Sequence, residues 1–290
     1  MYGNTLEAAA YRGHDAIVQW LLDSGANVNA LQRAVYSGHV AIVQRLLESG
    51  ADVNAQCGWY GNALQAAASG GYNAQDYPLL EPKADVNEWV GWHDRIVQRL
   101  LESGADVNAQ GGYYGNALAA AAYIGHNAIV QRLLESGADV NMQSGYYGNE
   151  LQAAALGTCD REIPRMRELG TDVNSQSEWH DTIVQQLLES GTDVNAQGAH
   201  YGNALQATAY GRHNTIVQRL LKAGADINAQ GGIYGSALQA AVDGGHIAIA
   251  QRLLELGPSN VYHTATIRVL TTLSSYPLMP RPDFSEIRLA

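Results

Sequence analysis

A glycine-centred segment recurs along the chain at a fixed interval, and this interval is the strongest constraint on the fold. The segment reads LLESGADVNAQ in its most complete form. Its glycine recurs 33 residues apart in the pairs Gly104–Gly137, Gly137–Gly170, Gly191–Gly224 and Gly224–Gly257. A unit of this length cannot bury its apolar side alone and must stack on its neighbours. The sequence therefore predicts a solenoid.

The unit at residues 105–137 predicts a turn followed by two short helices. Gly111–Gly115 form a hairpin-like turn, because glycine adopts backbone angles that other residues resist. Asn116 is the expected N-cap of helix one, which spans residues 117–123 and ends at Gly125. Helix two follows His126. Its apolar face has helical spacing and consists of Ile129, Val130, Leu133 and Leu134.

This order of elements resembles the ankyrin-repeat family over residues 1–257. The resemblance implies an all-α ankyrin-repeat solenoid of stacked helix-turn-helix units joined by short hairpin-like turns. The family commonly has Thr-Pro-Leu-His where this chain has Asn116-Ala117-Leu118-Ala119. Asparagine replaces threonine as the cap, and alanine keeps helix propensity without the preset φ of proline. The variant is similar to arrays of fungal proteins, especially those behind NTPase domains of the NACHT type, although the sequence contains no such NTPase domain.

Two 21-residue units interrupt the regular spacing. Residues 51–137 and 138–224 are two copies of one 87-residue block, and each copy contains one of these irregular units. We predict that helix one at 63–69 pairs with a helix at 94–103, leaving about 72–93 as an insertion. Likewise, 150–156 pairs with 181–190 across 158–180. Sequential stacking of imperfect units is the competing arrangement, and intron-derived residues in a gene model are a further alternative.

Both ends of the array are irregular. In the second repeat Asn29 is followed directly by Ala30-Leu31-Gln32, so the turn is missing. Residues 258–290 contain four prolines and are expected to form an irregular tail with one helix at 264–274. That helix is expected to cover the exposed end of the array.

The polar residues that repeat are interpreted as structural. Seven histidines occupy one position at the entry to helix two: His14, His39, His93, His126, His180, His213 and His246. Aspartates such as Asp52, Asp106, Asp139 and Asp193 are expected to bond the turn backbone. We expect no metal, no cofactor and no catalytic residues. An enzyme with a site in the irregular inserts is the alternative, and it would use Trp89, Trp92, His93, Asp94 and Cys159.

Composition and motifs argue against several function classes. A phosphate-binding loop requires Lys and then Ser or Thr after its last glycine, whereas Asn116 and Ala117 follow Gly115. The net charge of −11 disfavours nucleic acid. No segment is apolar over the length of a membrane span, and no signal peptide is evident. With Cys57 and Cys159 as the only cysteines, we expect a cytoplasmic or nuclear protein.

Aromatic residues at the turns are the candidate partner contacts. A constant turn tyrosine, interpreted as structural, occurs at Tyr60, Tyr114, Tyr147, Tyr201 and Tyr234. The residue before it varies, which suggests that stacking does not dictate its identity. In ankyrin proteins the turn tips line the concave binding face, and Tyr and Trp are frequent interface anchors. We therefore predict partner binding by Trp59, Tyr113, Tyr146, His200 and Ile233.

The expected function is non-catalytic protein–protein recognition through the concave ankyrin surface, with no small-molecule substrate. The resemblance suggests the sensing array of a fungal NACHT-type immune or incompatibility protein. A regulatory ankyrin protein such as a transcriptional coregulator is an alternative. A nonfunctional duplicated fragment is another.

Overall fold

The computed structural model describes residues 5–26, 30–56, 59–70, 86–142, 145–157, 173–198, 200–211 and 213–257. Within these ranges all regular structure is helical, apart from isolated β-bridges at the turns. The helices are α1 (Thr5–Tyr11), α2 (Asp15–Asp23), α3 (Leu31–Tyr36), α4 (Val40–Glu48), α5 (Ala63–Ala68), α6 (Val86–Glu102), α7 (Ala117–Ile124), α8 (Asn127–Glu135), α9 (Glu150–Gly157), α10 (Val173–Glu189), α11 (Ala204–Tyr210), α12 (Asn214–Lys222), α13 (Ala237–Asp243) and α14 (Ile247–Leu256).

These helices form seven pairs in the described part of the chain, and each pair is one repeat. The first helix of every repeat packs on the first helix of the next, and the second helices pack in the same order. Alanines fill the first helices, which lets neighbouring backbones approach closely, and Ile, Val and Leu of the second helices complete one continuous core. The predicted all-α solenoid is confirmed.

The predicted pairing across the irregular units is also found. Helix α5 packs on α6, and α9 packs on α10, as helix one and helix two of a single repeat. The predicted boundaries of the second helices are wrong, because α6 begins at Val86 and α10 at Val173. The insertions are therefore shorter than expected. The rest of each insertion, at 71–85 and 158–172, lies outside the described residues, as does the tail at 258–290 with its expected helix at 264–274.

Side-chain caps begin the first helices as the sequence predicts. The Asn116 side chain accepts a hydrogen bond from the backbone N–H of Ala119, and Asn62 and Asn203 do the same in their repeats. The side-chain oxygen of Gln65 accepts a reciprocal hydrogen bond from the backbone N–H of Asn62, which completes a capping box. These bonds satisfy backbone donors that a short helix leaves unpaired.

Asparagines that follow four of the second helices join one repeat to the next. Asn108 donates to the carbonyl of Gly137 at 3.2 Å and accepts from the backbone N–H of Asp139 at 2.8 Å. Asn54 makes the same two bonds to Gly104 and Asp106. Asn141 and Asn195 continue the series toward Gly191 and Gly224. Because Asn54 reaches across the first irregular unit with unchanged geometry, this unit preserves the register of the array.

Replacing Asn108 with alanine is expected to lower the free energy of unfolding by about 1 to 2 kcal/mol, because it removes two hydrogen bonds between repeats. Urea unfolding followed by circular dichroism measures the change. Gln131→Ala is the matched control, because it removes an exposed bond to Glu135 within one helix. We expect the control to change stability by less than about 0.5 kcal/mol. Equal effects of the two substitutions would contradict a role of Asn108 in joining repeats.

The interpretation of the repeating aspartates and histidines as structural is confirmed where the bonds are described. Asp106 accepts a hydrogen bond from the backbone N–H of Asn108 at 3.0 Å, which holds the turn. The Nε2 atoms of His39, His180 and His246 lie 2.8–3.1 Å from a carbonyl oxygen at the end of helix one in the preceding repeat. His126 is half-buried, and burial is the main cause that lowers its pKa to about 3.

Candidate partner-binding surface

The hairpin-like turns before the first helices stack directly on one another. Gly111 pairs with Gly115 in an isolated antiparallel bridge, and equivalent bridges join Gly198 with Gly202 and Gly231 with Gly235. Backbone hydrogen bonds also link one turn to the next: Tyr113 N–H donates to the Trp59 carbonyl, Tyr146 N–H to the Tyr113 carbonyl, and Ile233 N–H to the His200 carbonyl. The turn tips therefore line up along one edge of the array from the third repeat to the seventh.

The variable residues at these tips form what we call the tip ladder: Trp59, Tyr113, Tyr146, His200 and Ile233. Ring centroids are 4.7 Å apart for Trp59 and Tyr113, 5.7 Å for Tyr113 and Tyr146, and 6.1 Å for Tyr146 and His200. The planes of each pair are within 24° of parallel. The structure thus brings four of the five candidate residues into one stack of rings.

This stacking adds to the sequence interpretation without contradicting it. Variation at the tip position suggested that stacking does not dictate the identity of the tip residue, and different flat side chains do form the stack. Sequence variation among Trp, Tyr and His is compatible with it for that reason. The tips also stay accessible: Trp59 is 64% exposed, Tyr146 49% and Ile233 52%. The rings of the ladder are therefore stacked on one another and still largely accessible, as an interface anchor requires.

The constant turn tyrosines lie beneath the ladder and pack between repeats. Tyr147 stacks on Tyr123 at 4.3 Å and on Tyr114 at 6.0 Å, and its hydroxyl donates to that of Tyr113 at 3.3 Å. Tyr234 stacks on Tyr210 at 4.7 Å. Tyr60 packs near Tyr36 in the same way, and Tyr201 near Tyr234. Burial raises the pKa of both Tyr147 and Tyr234, so these phenols stay neutral.

Two residues of the enzyme alternative, His93 and Asp94, occupy structural positions. Asp94 forms a two-pronged ion pair with Arg132 of the next repeat, with both N–O distances at 2.9 Å. Asp181 pairs with Arg219 in the same manner. His93 is buried. Cys159 and the side chain of Trp89 lie outside the described residues.

The described ranges contain neither a candidate metal site nor a membrane-spanning helix. No group of three or more His, Cys, Asp or Glu residues in these ranges could hold a metal ion. None of the described helices combines the length and apolar character needed to span a bilayer.

A buried carboxylate lies between the fourth and fifth repeats, and the sequence analysis did not predict it. Glu150 begins α9, where other repeats have a buried alanine, and it is 0% exposed. Asn116 donates to its Oε1 at 2.6 Å, and its Oε2 has no hydrogen-bond partner among the described residues. Burial is the main cause that raises the pKa of Glu150 to about 7, and the charge of Asp139 raises it further.

Two models of protein families match this chain. A model described as ankyrin repeats in three copies matches residues 4–88 and 169–264, and a single ankyrin repeat model matches residues 116–145. Together these matches cover more than half of the chain. The chain belongs to the ankyrin-repeat family. Ankyrin repeats suggest a protein–protein interaction module, and domains of this family are generally non-catalytic.

A solved ankyrin structure agrees with the architecture. The crystal structure of the human ASB11 ankyrin repeat domain is 23% identical to this chain, with a TM-score of 0.62. The match covers 88% of this ankyrin chain and 99% of the other one. At this identity the likeness establishes the fold alone. Comparison with curated protein sequences gives no match.

Proposed function

We propose that this ankyrin array recognises a protein partner through its tip ladder, and that it serves as the sensing array of a fungal NACHT-type immune or incompatibility protein. The single observation that carries the recognition proposal is the exposed stack of rings Trp59, Tyr113, Tyr146 and His200. The turn sequence YGNALQ supports the finer role by its resemblance to fungal arrays.

The ladder suits recognition because its side chains are already ordered. A partner that contacts Trp59 or Tyr146 does not have to freeze their rotamers, since neighbouring rings fix them. Preorganisation of this kind lowers the entropy cost of association. The tip side chains are aromatic or aliphatic, so aromatic and apolar contacts dominate this edge.

The acidic balance and the cysteine content shape the rest of the proposal. A net charge of −11 favours a protein partner over nucleic acid. Two cysteines without a ligand-type spacing favour the cytoplasm or the nucleus. A partner that continues the signal is expected to bind by surface complementarity, with no substrate turned over.

Substitution of the exposed tips tests the proposal. We expect Trp59→Ala/Tyr146→Ala/Ile233→Ala to weaken partner binding by at least roughly 100-fold, because exposed anchors of this type each contribute about 1 to 2 kcal/mol. Affinity capture from extracts of the source cells, quantified by mass spectrometry, measures the loss. Tyr113 is left intact because it packs on Trp59, Tyr114, Tyr146 and Tyr147.

Trp20→Ala is the matched control, since Trp20 is 66% exposed on a second helix away from the tips. Proteins retained by the wild type and by the Trp20 variant but lost with the triple variant would support recognition by the ladder. Equal capture by all three chains would refute it. Thermal unfolding of each variant establishes that the fold is intact.

A further inference from the structure

The tip ladder ends at Trp59 because the second repeat has no turn. Helix α3 begins at Leu31. Only four residues separate Gly25 from Ala30, whereas twelve separate Gly104 from Ala117, so the second repeat lacks the residues of a hairpin. Residues 27–29 lie outside the described residues. Helix α3 nevertheless occupies its place in the array: it packs on α5, and Gln32 donates to the carbonyl of Gly61 at 2.9 Å. Gln65 makes the equivalent bond to Gly115 in the next repeat. The second repeat is therefore complete in its helices and lacks only its tip.

One ring face of Trp59 is left open by this deletion. Tyr113 has Trp59 on one side and Tyr146 on the other, and it is only partly exposed. Trp59 stacks on Tyr113 alone among the described residues, and 64% of it is exposed. We call the space beside this open face, in line with the tips and above α3, the tip gap.

The backbone pattern of the ladder ends at the same point. Tyr113 and Tyr146 each donate a backbone N–H to the carbonyl of the preceding tip residue. Among the described residues, no backbone carbonyl accepts a hydrogen bond from the N–H of Trp59. An occupant of the tip gap would therefore repeat two contacts made along the ladder, namely a ring stacked at about 5 Å and a carbonyl facing a tip N–H.

We propose that the tip gap is the anchor site for an aromatic side chain of the partner protein, carried on a turn whose backbone carbonyl faces the Trp59 N–H. The partner would supply the rung that the second repeat lacks. This inference rests on the proposed recognition function and assigns the anchor within it. An offset ring stack contributes about 0.5 to 1.5 kcal/mol beyond its area, which corresponds to a roughly 2- to 10-fold change in affinity for this ring alone.

A small probe tests the gap in the wild-type chain without any partner. The probe is N-acetyl-tyrosinamide, which carries both the phenol ring and a backbone carbonyl, and N-acetyl-leucinamide is its apolar control. Nuclear magnetic resonance follows the indole N–H signals, assigned by Trp59→Phe and Trp20→Phe. We expect the tyrosine probe to shift the Trp59 signal severalfold more than the Trp20 signal, and the leucine probe to shift neither selectively. Equal shifts at Trp59 and Trp20, or no shift, would overturn the proposal.

An insertion that fills the gap provides the second test. The segment AQGGYYGN, copied from residues 109–116, is placed between Asn29 and Ala30 in the full chain. We expect it to abolish the response of Trp59 to the tyrosine probe. The matched insertion AQGGAYGN, which lacks the tip ring, should leave more of that response. A folded chain whose inserted tyrosine tip leaves Trp59 as responsive as in the wild type would refute the assignment.

The two proposals fail in different ways. Loss of capture with the exposed-tip variant, together with no selective probe shift, would keep recognition by the ladder and reject the tip gap as its anchor. A selective probe shift with unchanged capture would keep the gap as an aromatic site and reject the recognition function proposed for the ladder.

Discussion

Alanine in place of Gly112 is expected to lower the free energy of unfolding by about 2 to 5 kcal/mol, more than alanine in place of Gly137. Gly112 adopts a φ of +64°, which costs an L-residue about 1 to 2 kcal/mol. A Cβ there would also lie 2.6 Å from the backbone nitrogen of Gly61 and still closer to the carbonyl of Tyr60. Backbone atoms cannot move aside as a flexible side chain can, so overpacking adds about 1 to 3 kcal/mol.

The same residue type in the same repeat provides the control. Gly137 has a φ of +86°, but a Cβ there would meet nothing within 4 Å. Gly137→Ala is therefore expected to cost only the conformational part, about 1 to 2 kcal/mol. Urea unfolding of both variants separates the two terms. If the two substitutions cost the same, the close approach of neighbouring tips that supports the ladder is wrong.

Glu150→Gln is expected to stabilise the array by about 3 kcal/mol at pH 8 and by little at pH 4. The folded state raises the pKa of Glu150 from 4.5 to about 7, so the folded chain holds this proton more tightly than the unfolded chain. Stability of the wild type is then highest below pH 4.5, falls as the pH rises to about 7, and is constant above it for this group. Glutamine keeps a bond to Asn116 without the buried charge.

Measuring the free energy of unfolding from pH 4 to pH 8 in both chains isolates this group, because other titrating residues contribute equally to each. Glu135→Gln is the control, since Glu135 lies exposed at the end of α8. It should change stability by less than about 0.5 kcal/mol at either pH. A gain from Glu150→Gln that does not depend on pH would show that the carboxylate is not destabilised by burial.

The regular parts of the fold could be predicted because the same residue types recur at the same positions in successive repeats. Asn116 as a cap, Gly125 as a helix end and the aliphatic face of α8 follow from local chemistry. The pairing of α5 with α6 could be predicted from the repeat spacing. The first 21-residue unit contains the pattern of a second helix but no first helix, so its partner had to be α5. The sequence did not predict the start of α6 at Val86. The expected helix was given the length of the second helices in the regular repeats, whereas α6 extends further toward the N-terminus.

The candidate surface was only partly predictable. The positions of Trp59, Tyr113 and Tyr146 followed from the repeat, but their stacking depends on the distance between tips, which no single repeat encodes. Glu150 was missed for a related reason. A glutamate at the start of a helix normally indicates a solvated charge near the helix N-terminus. Its burial arises from the close packing of α7 on α9, a property of two repeats together.

The asparagine bonds between repeats have a consequence for how such an array can grow. The bond from Asp106 N–H to Asn54 spans 52 residues of chain, and the bond from Asp139 N–H to Asn108 spans 31, yet both are 2.8 Å long. The pitch of the stack is thus independent of the contour length between a first helix and its second helix. We therefore expect that residues inserted between Gly70 and Val86 leave the contacts between neighbouring repeats unchanged. We expect an epitope tag inserted there to leave the unfolding cooperativity unchanged.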